Sequence, residues 1–288
     1  MEIQQIKVTV LMPVFNGEKY LKQAIKSILR QTYKNFEFLI IDDGSTDKSV
    51  KIIKTYKDPR IRLVRNKKNI GLIKTLNKGL SLARGEYIAR MDCDDISLPK
   101  RLEKQVEFMD QHPDIGVCGT AVKLIGKKVK WQFPSDPDHI KCQLLFANTI
   151  AHPTAMIRKK VLNNIKYEKY AHAEDYHLWV TLSNKTKLTN LPEILLKYRQ
   201  HSKQVSNKFN RKQQATAKRI VLEQLKRLNI TPTDQELSIH LHLLAGNGIQ
   251  STESAKQWCE KILNKNKETN IYNQDVLEKF FSNIIQKG

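Results

Sequence analysis

Residues 7–46 read KVTVLMPVFNGEKYLKQAIKSILRQTYKNFEFLIIDDGST, and this stretch contains the repeating unit of the fold. Lys7 to Met12 is a short apolar run rich in β-branched residues that stops at Pro13, the pattern of a buried strand. Leu21, Ala24, Ile25, Ile28 and Leu29 follow Gly17 and Glu18 and recur at the i, i+3, i+4, i+7, i+8 spacing of one helix face. Phe36 to Ile41 is a second strand, ending in Asp42-Asp43-Gly44-Ser45. Strand, helix and strand in this order predict an α/β sheet with crossover helices.

The alternation continues outward from this unit. Ser45 or Thr46 is placed to cap a helix running to about Tyr56, and Ile61 to Val64 reads as a third strand. Asn69-Ile70-Gly71 opens a helix carrying Leu72, Ile73, Leu76, Leu80 and Ala83, with Gly85 as its expected C-terminal cap. Glu86 to Met91 is a fourth strand, followed at once by Asp92-Cys93-Asp94-Asp95, and Pro99 starts a helix to about Gln111. Polar or acidic residues thus end three strands on the carboxyl side, the edge of an open parallel sheet where ligands bind. Further strands are expected at Gly116 to Leu124, around Val129 to Phe133, Thr154 to Ile157 and Ile194 to Arg199, with helices near Asp138 to Phe146 and Asp175 to Leu182. No acid occurs between Glu193 and Glu223, whereas Lys197, Arg199, Lys203, Lys208, Arg211, Lys212, Lys218 and Arg219 do. A boundary near residue 207 is expected inside this basic stretch: a catalytic domain over 1–206, then amphipathic helices over 207–288 with Ile220, Leu225, Leu237, Trp258 and Val276 on their apolar faces.

The whole chain has 288 residues and a formal net charge of +21, with 40% hydrophobic residues, 11 Gly and 9 Pro. That composition is globular and excludes collagenous or wholly disordered chains. No apolar run approaches the roughly 20 residues needed to cross a bilayer, and Met1-Glu-Ile-Gln-Gln lacks the layout of a secretory signal; a cytoplasmic protein is expected. Cys93, Cys118, Cys142 and Cys259 show no metal or redox spacing and are expected as free thiols. The positive charge favours anionic partners: nucleic acid, a membrane surface or a small anion.

Asp92, Asp94 and Asp95 form the most informative cluster. Carboxylates this close repel by roughly 1 to 4 kcal/mol per pair, and a divalent cation removes that repulsion. Oxygen donors alone suit Mg²⁺ or Mn²⁺ rather than Zn²⁺. The plainer reading is an acidic turn with Asp95 or Ser97 capping the next helix. Asp42 and Asp43 are expected to face the same crevice, although Asp-Gly-Ser also makes an ordinary turn. With Pro13-Val14-Phe15-Asn16 at a third strand end, the rim has the parts to hold a base, a ribose and a metal-bridged diphosphate.

Residues 8–49, then 69–105, resemble the inverting nucleotide-sugar glycosyltransferases of family two, whose fold is called GT-A; AHPTAMIRK, AEDYHLWVTL and ILLKYRQHSKQVS resemble later blocks of that family in the same order. The resemblance spans about residues 7 to 206. It implies that Pro13, Phe15, Asp43 and Gly71 line a nucleoside pocket, with Asp43 accepting from the uracil ring. It places Asp92 and Asp94 in the family's Asp-x-Asp element at the ribose and the metal, Asp94 foremost as ligand, with Asp95 as a helix-entry residue and Arg101 as a buttress of the loop. The second acid of Glu174-Asp175 corresponds to the general base, at a helix start where negative charge is favoured. His201 is expected as a metal ligand, Arg199 as a phosphate-facing residue and His152 at the border of an acceptor pocket; surface or turn positions are the plainer alternatives. His177, Thr181 and Tyr167 to Tyr170 depart from the family pattern, so the acceptor is not transferable from relatives.

The chain is therefore expected to move a sugar from a UDP-linked donor to a glycan or lipid-linked acceptor in surface-polysaccharide or lipopolysaccharide synthesis. A dinucleotide-binding oxidoreductase is disfavoured because Pro-Val-Phe-Asn-Gly replaces the Gly-x-Gly-x-x-Gly turn, and a glycoside hydrolase needs neither nucleotide nor Asp-x-Asp. The alternative from another class is a basic nucleic-acid- or membrane-binding protein on a nucleotide-binding scaffold. Tyr198 and Phe209 alone make no stacking platform for nucleic acid, so an anionic membrane surface is the better partner for the basic stretch.

Overall fold

The structure is a computed structural model that describes residues 5–201, 210–244 and 252–286. The expected boundary near 207, together with Lys203, Lys208 and Phe209, lies outside these residues. Strands β1 (Val8–Val14), β2 (Phe36–Asp42), β3 (Ile61–Arg65) and β4 (Tyr87–Arg90) pair in parallel in the order β3-β2-β1-β4. Helices α1 (Glu18–Leu29), α2 (Ser49–Lys54) and α3 (Leu72–Leu82) make the crossovers. Every residue of β1 and β2 is buried, as a parallel sheet covered on both faces requires. Leu39 and Ile41 point into one core while Phe36, Phe38 and Ile40 point into the other, the two-residue period of a strand. On α1, Leu21, Ala24, Ile25 and Ile28 are fully buried, which confirms the face read from the spacing.

Beyond β4 lie β5 (Ile96–Ser97), α4 (Arg101–Gln111), β6 (Ile115–Leu124), β7 (Lys130–Trp131) and α5 (Pro137–Gln143). Then come β8 (Met156–Arg158), α6 (Glu174–Leu182) and β9 (Lys187–Tyr198). The sheet becomes mixed here: β8 runs antiparallel to β4 and β6, β6 is parallel to β9, and β5 pairs antiparallel with β9. Nine strands form one sheet in the order β3-β2-β1-β4-β8-β6-β9-β5, with β7 paired to β6. Helices α7 (Asn210–Arg227), α8 (Asp234–His242), α9 (Glu253–Thr269) and α10 (Gln274–Ile285) follow. They share a third core, in which Leu225, Trp258 and Phe281 pack with Cys142 and Leu145. No helix among the described residues is long and apolar enough to cross a membrane.

Several expectations need correction. Ser45 and Thr46 do not cap α2, which begins at Ser49 behind Lys48; Ser45 Oγ accepts from Asn16 N, and Thr46 N donates to Asn16 Oδ1. Gly85 is not the cap of α3, because the helix closes at Ala83. Instead, a Cβ at Gly85 would lie 2.4 Å from Thr9 N and 2.6 Å from the Val8 carbonyl carbon, so the chain there needs a glycine to pass β1. Pro99 precedes α4 rather than starting it. The segment at Thr154 is a short 3₁₀ turn over His152–Thr154, with the strand beginning at Met156. The last strand starts at Lys187, seven residues before the expected Ile194, and its register shifts between the pairs Thr120–Leu191 and Ala121–Ile194. Pro192, lacking an N–H, falls in that irregularity and hides the strand's first half from a pattern reading.

Candidate active site

A long cleft runs along the carboxyl ends of β1, β2 and β4. Pro13, Phe15, Asp43 and Gly71 line one end of it. Phe15 is 48% exposed, a large apolar ring left without cover. Asp43 is buried, and its carboxylate accepts from Asn66 Nδ2 at 2.8 Å, Ile70 N at 3.0 Å and Gly71 N at 3.0 Å. It therefore fixes the entry to α3, where Gly71 takes φ 89°, in the region that favours glycine. Asp42 does not share this wall as expected. It is fully buried and accepts from Ser45 N and, at 3.4 Å, from Arg65 Nε.

The acidic turn after β4 lines the same cleft through Asp92, Cys93 and Asp94. Oxygens of Asp92, Asp94 and Asp95 lie within 4.8 Å of one another. Arg90 forms an ion pair with Asp92, and His201 Nε2 lies 2.9 Å from Asp94 Oδ2. Burial, then the charge of Asp92, pushes the Asp94 and Asp95 carboxyls up from the ordinary range. Asp95 is not a helix-entry residue: it lies before β5, fully buried, and accepts from Arg199 N through Oδ1 at 2.8 Å. Its Oδ2 is buried without a hydrogen-bond partner among the described residues. Crowded acids with an orphaned oxygen fit a hard divalent cation, which relieves repulsion and satisfies the oxygen together.

Arg101 supports the strand end rather than the acids, donating to the Arg90 carbonyl at 2.8 Å and to Gln105. Arg199 is not among the residues lining the cleft. Its Nε donates to the Asp94 carbonyl, its Nη2 donates to Gln23, and its guanidinium lies 4.2 Å from the Tyr20 ring centroid. The expected phosphate-facing role thus gives way to bracing of the acidic turn. Tyr20, which also packs on His201, was not singled out in the sequence.

Glu174 and Asp175 open α6 and line the cleft. Glu174 is 6% exposed, and burial followed by the charge of Asp175 raises its carboxyl to about 7. Burial also raises Asp175, opposed by hydrogen bonds from Tyr176 N and from Asn148 Nδ2, the latter at 2.8 Å. Asn148 stands in a segment without a sequence signal. His152 stands in the 3₁₀ turn, yet it is buried, lines the cleft, and its Nε2 meets Tyr167 Oη at 2.8 Å. Burial, then the charge of Arg90, lowers its pKa well below the ordinary imidazole value.

The positions that depart from the family pattern form one connected patch. Tyr167 exchanges two backbone hydrogen bonds with the Asn77 amide. Tyr170 stacks on His177 at 3.8 Å, and Thr181 Oγ1 donates to the His177 carbonyl. Tyr170 Oη donates to Glu223 of α7 at 2.6 Å, and Gln213 of the same helix lines the cleft. Helix α7 therefore does more than pack: it supplies part of the cleft lining.

A mostly parallel sheet with acids at its carboxyl edge and flanking helices is the GT-A architecture. The chain matches the sequence profile described as Glycosyl transferase family 2 over residues 9–173 and belongs to that family. It is 35% identical over 254 residues to an uncharacterized glycosyltransferase of Haemophilus influenzae, covering 82% of this chain and 77% of that protein. It is 37% identical over 212 residues to the O-antigen biosynthesis glycosyltransferase WbnJ of Escherichia coli, covering 68% and 80%. Among solved structures, Staphylococcus aureus TarS in complex with UDP superposes with a TM-score of 0.62 at 19% identity, over 98% of this chain and 88% of that one.

Proposed function

We propose that this glycosyltransferase is metal-dependent and inverting, and that it transfers a sugar from a UDP-linked donor to a glycan or lipid-linked acceptor of a surface polysaccharide. The observation that carries the proposal is the acidic turn, with three carboxylates within 4.8 Å and the orphaned Asp95 Oδ2. The UDP in the TarS complex and the O-antigen role in the name of WbnJ support the donor and the pathway class. Asp94, with Asp92, Asp95 and His201, would hold Mn²⁺ or Mg²⁺. Such an ion, when bound, stabilises negative charge on the departing diphosphate.

Pro13, Phe15, Asp43 and Gly71 would receive the nucleoside. Asp175 takes the proton of the acceptor hydroxyl onto its carboxylate as that oxygen attacks the anomeric carbon. The bond to the diphosphate oxygen breaks, its electron pair leaves with the phosphate, and a single displacement inverts the anomeric centre. Asn148 and the Tyr176 N–H hold the ionised carboxylate in place.

Titration calorimetry with UDP and Mn²⁺ tests the donor half: Asp94→Ala should lose the metal-dependent part of the affinity, and unchanged binding would refute the assignment. Asp175→Asn should lower transfer by about a hundred- to ten-thousandfold while UDP binding stays; full turnover would refute the base. The +21 charge supports residence at an anionic membrane surface. Flotation with anionic liposomes should show binding that weakens with salt, and no binding at physiological salt counts against it.

A further inference from the structure

Strands β6, β7 and β9 bring three lysines into one row. Lys123 of β6 pairs with Lys130 of β7 on one side and with Lys197 of β9 on the other, and residues directly opposite in neighbouring strands share a face about 5 Å apart. All three are exposed. Like charges at that spacing repel, and among the described residues no carboxylate answers them, since the lysine ion pairs all lie elsewhere. No acid occurs in the sequence between Asp114 and Asp136. A lysine on β7 alone would be ordinary protection of an edge strand. Lys123 and Lys197, however, each have a paired residue on either side, where edge protection has no purpose.

The row continues into the turn of the β6–β7 hairpin. Residues Gly126 to Lys130 are all exposed, and Lys127, Lys128 and Lys130 surround Val129, which is 46% exposed. Lysines around an uncovered apolar side chain match the interface of an anionic bilayer, where ammonium groups meet headgroup phosphates and the apolar group enters the acyl boundary. A single-stranded nucleic acid would instead ask for aromatic rings on the charged face. The nearby rings are on the other one: Trp131 and Tyr198 each follow a lysine of the row by one residue, which places them on the opposite face of their strands. There they pack together at 5.2 Å and line the cleft.

We propose that the lysine row and the Val129 turn form the surface by which this enzyme docks on an anionic lipid bilayer. The inference rests on the membrane reading given above and adds where the contact is made. Because the same strands carry Trp131 and Tyr198 on their other face, docking sets strands that line the cleft against the headgroups, where a lipid-linked acceptor is presented.

The test is flotation with vesicles of phosphatidylethanolamine and phosphatidylglycerol, comparing the unmodified enzyme with two triple variants of equal charge. One is Lys123→Gln, Lys130→Gln and Lys197→Gln; the other is Lys51→Gln, Lys54→Gln and Lys57→Gln, in and after α2, which leads into the opposite edge of the sheet at β3. Each lysine at an anionic surface is worth about fivefold in partition, so the row variant should bind about a hundredfold more weakly and the α2 variant less than about fivefold more weakly. Should the row variant unfold in a circular-dichroism melt, Lys123→Gln alone should bind about fivefold more weakly. Equal weakening of the two triple variants overturns the proposal, as does unchanged binding of the row variant. Val129→Trp separates a bilayer from a soluble polyanion: the fluorescence it adds should be quenched by vesicles with brominated acyl chains, and no added quenching overturns the proposal. Failure of the unmodified enzyme to bind the vesicles at all would instead sink the membrane reading, and this inference with it.

Discussion

The environment of Asp175 determines how the reaction should respond to pH. Burial raises its carboxyl, and the hydrogen bond from Asn148 opposes that rise by favouring the ionised form. A base must be ionised to work, so kcat/KM should climb with pH along an acidic limb displaced above the ordinary aspartate range. Asn148→Ala removes the opposing bond; the limb should move to higher pH, with the loss of rate largest in acid and fading toward alkaline pH. A limb that stays in place would show that Asn148 does not act on the base. The Asp-x-Asp turn and the Glu174-Asp175 pair were legible because like charges crowd within four residues or stand at a helix start. Asn148 and Tyr20 were not, since a lone amide or a tyrosine has no pattern until the fold brings it beside Asp175 or Arg199. Arg199 was misread for the same reason: sequence gives its charge, but only β9 fixes that charge against the back of the acidic turn.

At the scale of elements, the parallel half was readable because each strand is a continuous apolar run and each helix has one clean face. Boundaries failed where side chains do something other than cap. Ser45 and Thr46 tie two strand-end loops together through Asn16, and Gly85 serves a close backbone approach rather than a helix end. Gly85→Ala should therefore destabilise the protein by about 3 kcal/mol, the upper range for an overpacked interior, because the clash is with the backbone of β1 and no rotamer relieves it. Urea unfolding measures this; a loss below about 0.5 kcal/mol would mean that β1 and β4 can slide apart. The mixed half was less legible because β9 carries Pro192 and polar residues on a strand that needs a register shift to pair.

For the whole molecule, the sequence showed that helices follow the sheet, yet it could not show that α7 returns to the cleft. That return depends on contacts between residues far apart in the chain: Tyr170 with Glu223, and Gln224 Nε2 with the Leu144 carbonyl at 3.0 Å. The segment matched by the family profile ends at residue 173, while the hydroxyl that fastens Tyr170 is held from beyond it. Asp43 is anchored by partners inside the matched segment, whereas the loop at Tyr170 is latched from α7, so loosening that one helix should unfasten the second side of the groove and leave the first in place.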